Sequence, residues 1–85
     1  MTRFTFTAKD MVGVHARIAG NLVREALKCS GDVLIRKGER QGNAKLIFHV
    51  MTLNIQAGDC VEITVSGDRE QEEAAMLREF CEKYM

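Results

Sequence analysis

Residues 60–66, Cys60-Val61-Glu62-Ile63-Thr64-Val65-Ser66, alternate polar and apolar side chains and are rich in β-branched residues, the pattern of a strand with one buried face. What flanks that strand decides the fold. Downstream, Asp68 is expected to cap a helix running through Tyr84, with Glu70, Glu72 and Glu73 in its first turns, where the macrodipole favours acids. Ala74, Leu77, Phe80 and Cys81 supply its buried stripe. Upstream, Gly58 ends a loop that follows a brief helix carrying Leu46, Ile47, Val50 and Met51, for which Asn43 is a good N-cap.

Nearer the start, residues 3–8 (RFTFTA) alternate as a half-buried strand, and residues 11–15 form a loop with one glycine, Gly13. From Ala16 to Leu27 the apolar positions Ala19, Leu22, Val23, Ala26 and Leu27 recur at helical spacing. Gly31 closes that helix. Residues 32–36 (DVLIR) make a short strand, and a tight turn at residues 37–40 leads into another that ends near Gly42. The order is strand, helix, strand, strand, short helix, strand, helix. It predicts an α+β fold, an open-faced β-sandwich in which a four-stranded sheet is covered on one face by helices.

At 85 residues there is room for one domain, 1–85, and one core. The three cysteines, Cys29, Cys60 and Cys81, have wide spacing and no CxxC, so disulfides and a zinc cluster are not expected. They read as reduced thiols in a reducing compartment, which implies a cytoplasmic protein. No metal and no cofactor are expected. Twelve basic residues balance twelve acidic ones, giving no reason to expect nucleic acid as a partner. No apolar run approaches the roughly 18 residues that a membrane span needs, so membrane insertion is not expected either. Positive charge gathers before Gly58 and negative charge after Asp59, the latter read as a solvated acidic helix.

His15 stands where the first helix should have its N-cap, a position better served by Ser, Thr, Asp or Asn. Such a local inconsistency points to function. The backbone N–H groups of Ala16, Arg17 and Ile18 would lack intrahelical partners and suit an anion. The positive end of the helix disfavours imidazolium, leaving a neutral, nucleophilic ring. Arg17 is close enough in sequence to pair its guanidinium with phosphate oxygens. A surface histidine that merely precedes a helix is the plainer alternative.

The stretch Gly13-Val14-His15-Ala16-Arg17 resembles the GLHAR core of the HPr family, the histidine-containing phosphocarriers of the bacterial sugar phosphotransferase system. Asn21-Leu22-Val23, Ala26, the turn Gly42-Asn43-Ala44-Lys45, Leu53, Gly58 and Ser66-Gly67 carry the resemblance across the chain. It implies a βαββαβα fold, a carrier and not a turnover enzyme, and a monomer. It also implies His15 as phosphoryl acceptor on its Nδ1, Arg17 as assistant, Enzyme I as donor and an Enzyme IIA domain as recipient. Leu46, Ile47, Phe48 and Met51 match the apolar patch on which partners dock, with Phe48 and Leu46 expected to be exposed. His49, without a partner at recognisable spacing, reads as a bystander.

Three positions depart from the family pattern. Ile18 stands where proline is usual, restoring an N–H, which predicts a looser first turn and slower phosphorylation. Gly20 replaces a common alanine at a helix cost of about 1 kcal/mol. Leu46 replaces a serine that a kinase modifies in many members, and it has no hydroxyl to modify. These departures keep a second reading open, an HPr-like regulatory module in which phosphorylation of His15 modulates binding to a non-transport partner. A third reading is a small interaction domain in which His15 does nothing.

Overall fold

The computed structural model describes residues 1–9 and 16–85. Their elements run β1 (Thr2–Thr7), α1 (Ala16–Leu27), β2 (Asp32–Lys37), β3 (Arg40–Asn43), α2 (Ile47–Thr52), β4 (Cys60–Ser66) and α3 (Glu70–Tyr84). The four strands form one antiparallel sheet in the order β1-β4-β2-β3. This is the α+β open-faced sandwich expected from the sequence.

The alternation of β4 fixes the two faces. Val61, Ile63 and Val65 are fully buried toward the helices, where they meet Ala19, Leu22 and Ala26 of α1 and Ala74, Leu77 and Cys81 of α3. Each valine, isoleucine or leucine among them contributes about 1.5–3 kcal/mol by leaving water. Cys60, Glu62, Thr64 and Ser66 point the other way, onto the open face. There Glu62 lies between Arg3 and Arg36, whose nitrogens are 3.6 and 3.8 Å from its carboxylate.

The ends of elements differ from expectation more than their existence. Asn43 closes β3 and is not the cap of α2, which is preceded by Leu46 with no side-chain cap. Nor does Asp68 cap α3, where Arg69 holds the N-cap position without a side-chain hydrogen bond. Leu27, expected in the buried stripe of α1, is exposed, and Phe80 is only half-buried. α1 ends at Leu27, so Gly31 serves another purpose. A Cβ there would fall 1.8 Å from the carbonyl oxygen of Ser66, so glycine is what lets the start of β2 lie against the end of β4.

The acidic run on α3 is not uniformly solvated. Glu73 is buried, and its Oε2 accepts from the Ser30 N–H at 2.7 Å and from the Ser30 hydroxyl at 3.1 Å. These bonds tie α3 to the turn between α1 and β2. The Ser30 amide, aided by the Ser30 hydroxyl and the Gly31 amide, holds the Glu73 carboxyl below its ordinary value against the opposing effect of burial. Burial pushes the Cys81 thiol up to about 12 and raises that of Cys29, so both behave as small apolar groups.

A carboxyl with a depressed folded-state pKa contributes stability that is complete above its unfolded value, near 4.5, and is lost as pH falls through the folded one. Glu73→Gln is therefore expected to unfold at lower denaturant than wild type at pH 7, with the gap closing below pH 4.5. Paired urea titrations at pH 7 and pH 3.5 check this, and a gap that does not change with pH would contradict it.

Candidate functional site

The first turn of α1 opens at Ala16, and the amides of Ala16, Arg17 and Ile18 have no acceptor within the helix by its geometry. No acidic residue occupies that turn, so nothing in it competes for an anion. Ala16 and Arg17 are exposed, whereas Ile18 is half-buried and packs on the core. His15 precedes Ala16 in the chain and lies outside the described residues, as do Gly13 and Val14.

α2 packs beside α1, with a Cβ added at Gly20 reaching within 3.8 Å of Ile47 Cδ1. Over its six residues α2 splits into two faces. Val50 is buried and Ile47 half-buried toward the core, while Phe48 and Met51, three residues apart on one side, are exposed together with Leu46. Phe48 is 77% exposed, a large apolar surface left to water. Three of the four patch residues, Leu46, Phe48 and Met51, are thus exposed at α2 and its N-cap, while Ile47 turns to the core near Gly20 of α1.

What sets α2 in place centres on the backbone of Asn43. Its carbonyl accepts from the Leu46 N–H at 3.0 Å, and its Oδ1 accepts from the Lys45 N–H at 2.9 Å. Its own N–H donates to Nδ1 of His49 at 3.0 Å. Sequence reading had His49 as a bystander, and the structure corrects this. The missing signal was geometric, because the pairing partner is a backbone amide on a sheet edge. Lys45 adds a tie of its own, with Nζ donating to the Cys29 carbonyl at 2.9 Å. Among the described residues no group of three His, Cys, Asp or Glu side chains is arranged to hold a metal ion. Among them, too, no helix is long and apolar enough to cross a membrane.

The family profile described as "PTS HPr component phosphorylation site" matches residues 2–83. The chain belongs to the HPr family. HPr of Mycoplasma capricolum is 43% identical over 68 residues, covering 80% of this chain and 74% of that one. The HPr-like protein Crh of Halalkalibacterium halodurans is 35% identical over 75 residues, covering 88% and 89%. The crystal structure of HPr-C-His from Thermoanaerobacter tengcongensis superposes with a TM-score of 0.91 at 32% identity, covering 98% of this chain and 93% of that one. An HPr dimer from the same organism superposes with a TM-score of 0.76. Membership in the HPr family makes this a chain of the phosphocarrier type, built to carry a group and not to turn over a substrate.

Gly20 faces Ile47 with room for ordinary contact, so alanine there adds a methyl group without displacing α2. Gly20→Ala is expected to raise stability by about 1 kcal/mol through helix propensity and a less free unfolded chain. Denaturant unfolding checks the gain, and a loss would show that the α1–α2 contact is tighter than its 3.8 Å spacing implies.

Proposed function

We propose that this protein accepts a phosphoryl group on His15 from Enzyme I and passes it to an Enzyme IIA domain of the bacterial sugar phosphotransferase system. The observation that carries the reading is the start of α1 at Ala16, directly after His15 in the chain, with no carboxylate in its first turn, whose amides lack acceptors within the helix. In the first transfer a lone pair of the neutral ring, at Nδ1 by family resemblance, attacks phosphorus. The bond from phosphorus to the donor breaks, and its electron pair stays with the donor. The amides of Ala16, Arg17 and Ile18 and the Arg17 guanidinium then offset charge on the phosphoryl oxygens. Onward transfer runs the same step with the Enzyme IIA domain as nucleophile. Leu46, Ile47, Phe48 and Met51 form the face that meets these partners, with exposed Phe48 as its anchor. The working form is a monomer in the bacterial cytoplasm.

The likeness to the HPr-like protein Crh supports a second reading, a regulatory module that takes the same phosphate but uses it to alter an interface. A charge change of about −1.5 to −2 beside an apolar patch is enough to switch a contact.

Incubated with Enzyme I and phosphoenolpyruvate, the wild-type chain is expected to take up an acid-labile phosphate that His15→Ala does not. Arg17→Ala should be labelled about tenfold more slowly or worse. An unlabelled wild type removes both readings, and label that reaches no Enzyme IIA domain favours the regulatory one. In the same assay Ile18→Pro is expected to raise the labelling rate, the gain from fixing φ in the first turn outweighing the loss of one of the three amides that face the phosphate. An unchanged rate would dismiss Ile18 as a brake.

A further inference from the structure

β3 is the outer strand of the sheet, pairing with β2 on one side only. Backbone groups on an antiparallel strand point alternately inward and outward, so an outer strand leaves every second N–H without a ladder partner. Ala44 donates inward to the Val33 carbonyl at 2.9 Å, which turns the N–H of Asn43 outward. His49 meets it there, accepting at Nδ1. An N–H donor requires a nitrogen without a proton, which fixes the imidazole as the tautomer protonated on Nε2.

The approach is close because position 42 is glycine. A Cβ there would lie 2.8 Å from the His49 Cβ and 3.4 Å from Nδ1. Gly42 and His49 are therefore a matched pair, one clearing the space that the other fills. Together with the bonds from Lys45 and Leu46 to Asn43, this contact joins the last residue of β3 to the middle of a six-residue helix. Helix propensity alone cannot hold so short a segment, so its orientation depends on such tethers and on the burial of Val50.

We propose that His49 is a positioning residue for partner docking, its imidazole holding α2 so that Leu46, Phe48 and Met51 are presented in one arrangement beside α1. This rests on the reading of α2 as the face that meets Enzyme I. The role belongs to binding, since His49 directly follows Phe48 on the helix and its side-chain bond among the described residues goes to Asn43, with its carbonyl accepting from the Thr52 hydroxyl.

The test uses the full chain as wild type, His49→Leu, His49→Asn and Gly42→Ala. Asparagine places an oxygen near the position of Nδ1 and restores an acceptor, whereas leucine fills space without one. Two readouts are taken: hydrogen exchange at the Asn43 amide, and the KM and kcat for phosphorylation by Enzyme I as the chain is varied as substrate. His49→Leu and Gly42→Ala are expected to speed Asn43 exchange about tenfold while the amides of Val61, Ile63 and Val65 keep their protection. KM should rise roughly three- to tenfold with kcat within about twofold, as for loss of one neutral hydrogen bond that orders a binding face. His49→Asn should return both readouts toward wild type. Unchanged exchange at Asn43, an effect on kcat in place of KM, or failure of asparagine to rescue would each overturn the proposal. A wild type that takes no phosphate from Enzyme I overturns the carrier reading and the docking role together. A labelled wild type beside an unchanged KM in His49→Leu overturns the role of His49 alone.

Discussion

The position of β4 between β1 and β2 is the constraint on which the rest depends. It is hydrogen-bonded on both edges, and three of its side chains, Val61, Ile63 and Val65, form the floor on which α1 and α3 lie. Because side chains alternate along a strand, a slip of one residue would turn that floor to solvent and bring Cys60, Glu62 and Thr64 inward. Register and core are therefore chosen together. Once β4 is set, Gly31 can approach Ser66, β2 is fixed, and the hairpin to β3 fixes where the turn at Asn43 delivers α2.

That hierarchy explains what was legible in the sequence. The alternation of residues 60–66 and the helical spacing from Ala16 to Leu27 are strong local signals, and both elements lie where they were read, to the residue. Helix starts were not legible in the same way. Asn43 and Asp68 are good capping types, yet Asn43 spends its side chain on the Lys45 amide and Asp68 lies before the residue that caps α3. A capping residue offers an acceptor to any nearby amide, and tertiary context decides which one takes it. Leu27 shows the same limit for burial, since it continues the apolar spacing but is exposed at the last residue of α1.

The candidate site divides along similar lines. The exposure of Phe48 and Leu46 is legible in the sequence, whereas the division of Ile47 and Val50 inward from Met51 outward is not. Nor are the partnerships of His49 and Glu73. Both end on backbone amides that no composition or spacing rule identifies, and the Glu73 bond reaches 43 residues back along the chain. One restrains α2 and the other ties the first turn of α3 to the turn that follows α1. Polar side chains serve here as cross-braces for short elements that a small core alone leaves under-determined.

The open face of the sheet carries one consequence of a practical kind. Cys29 and Cys81 are buried, with thiols raised in pKa, while Cys60 is exposed on the surface opposite the helices. Access favours Cys60, and burial keeps the other two thiols protonated. A maleimide dye or spin label would therefore select Cys60 without any engineered cysteine. The reporter would ride on an inner strand, across the sheet from the helices, where it can follow tumbling without touching α1 or α2.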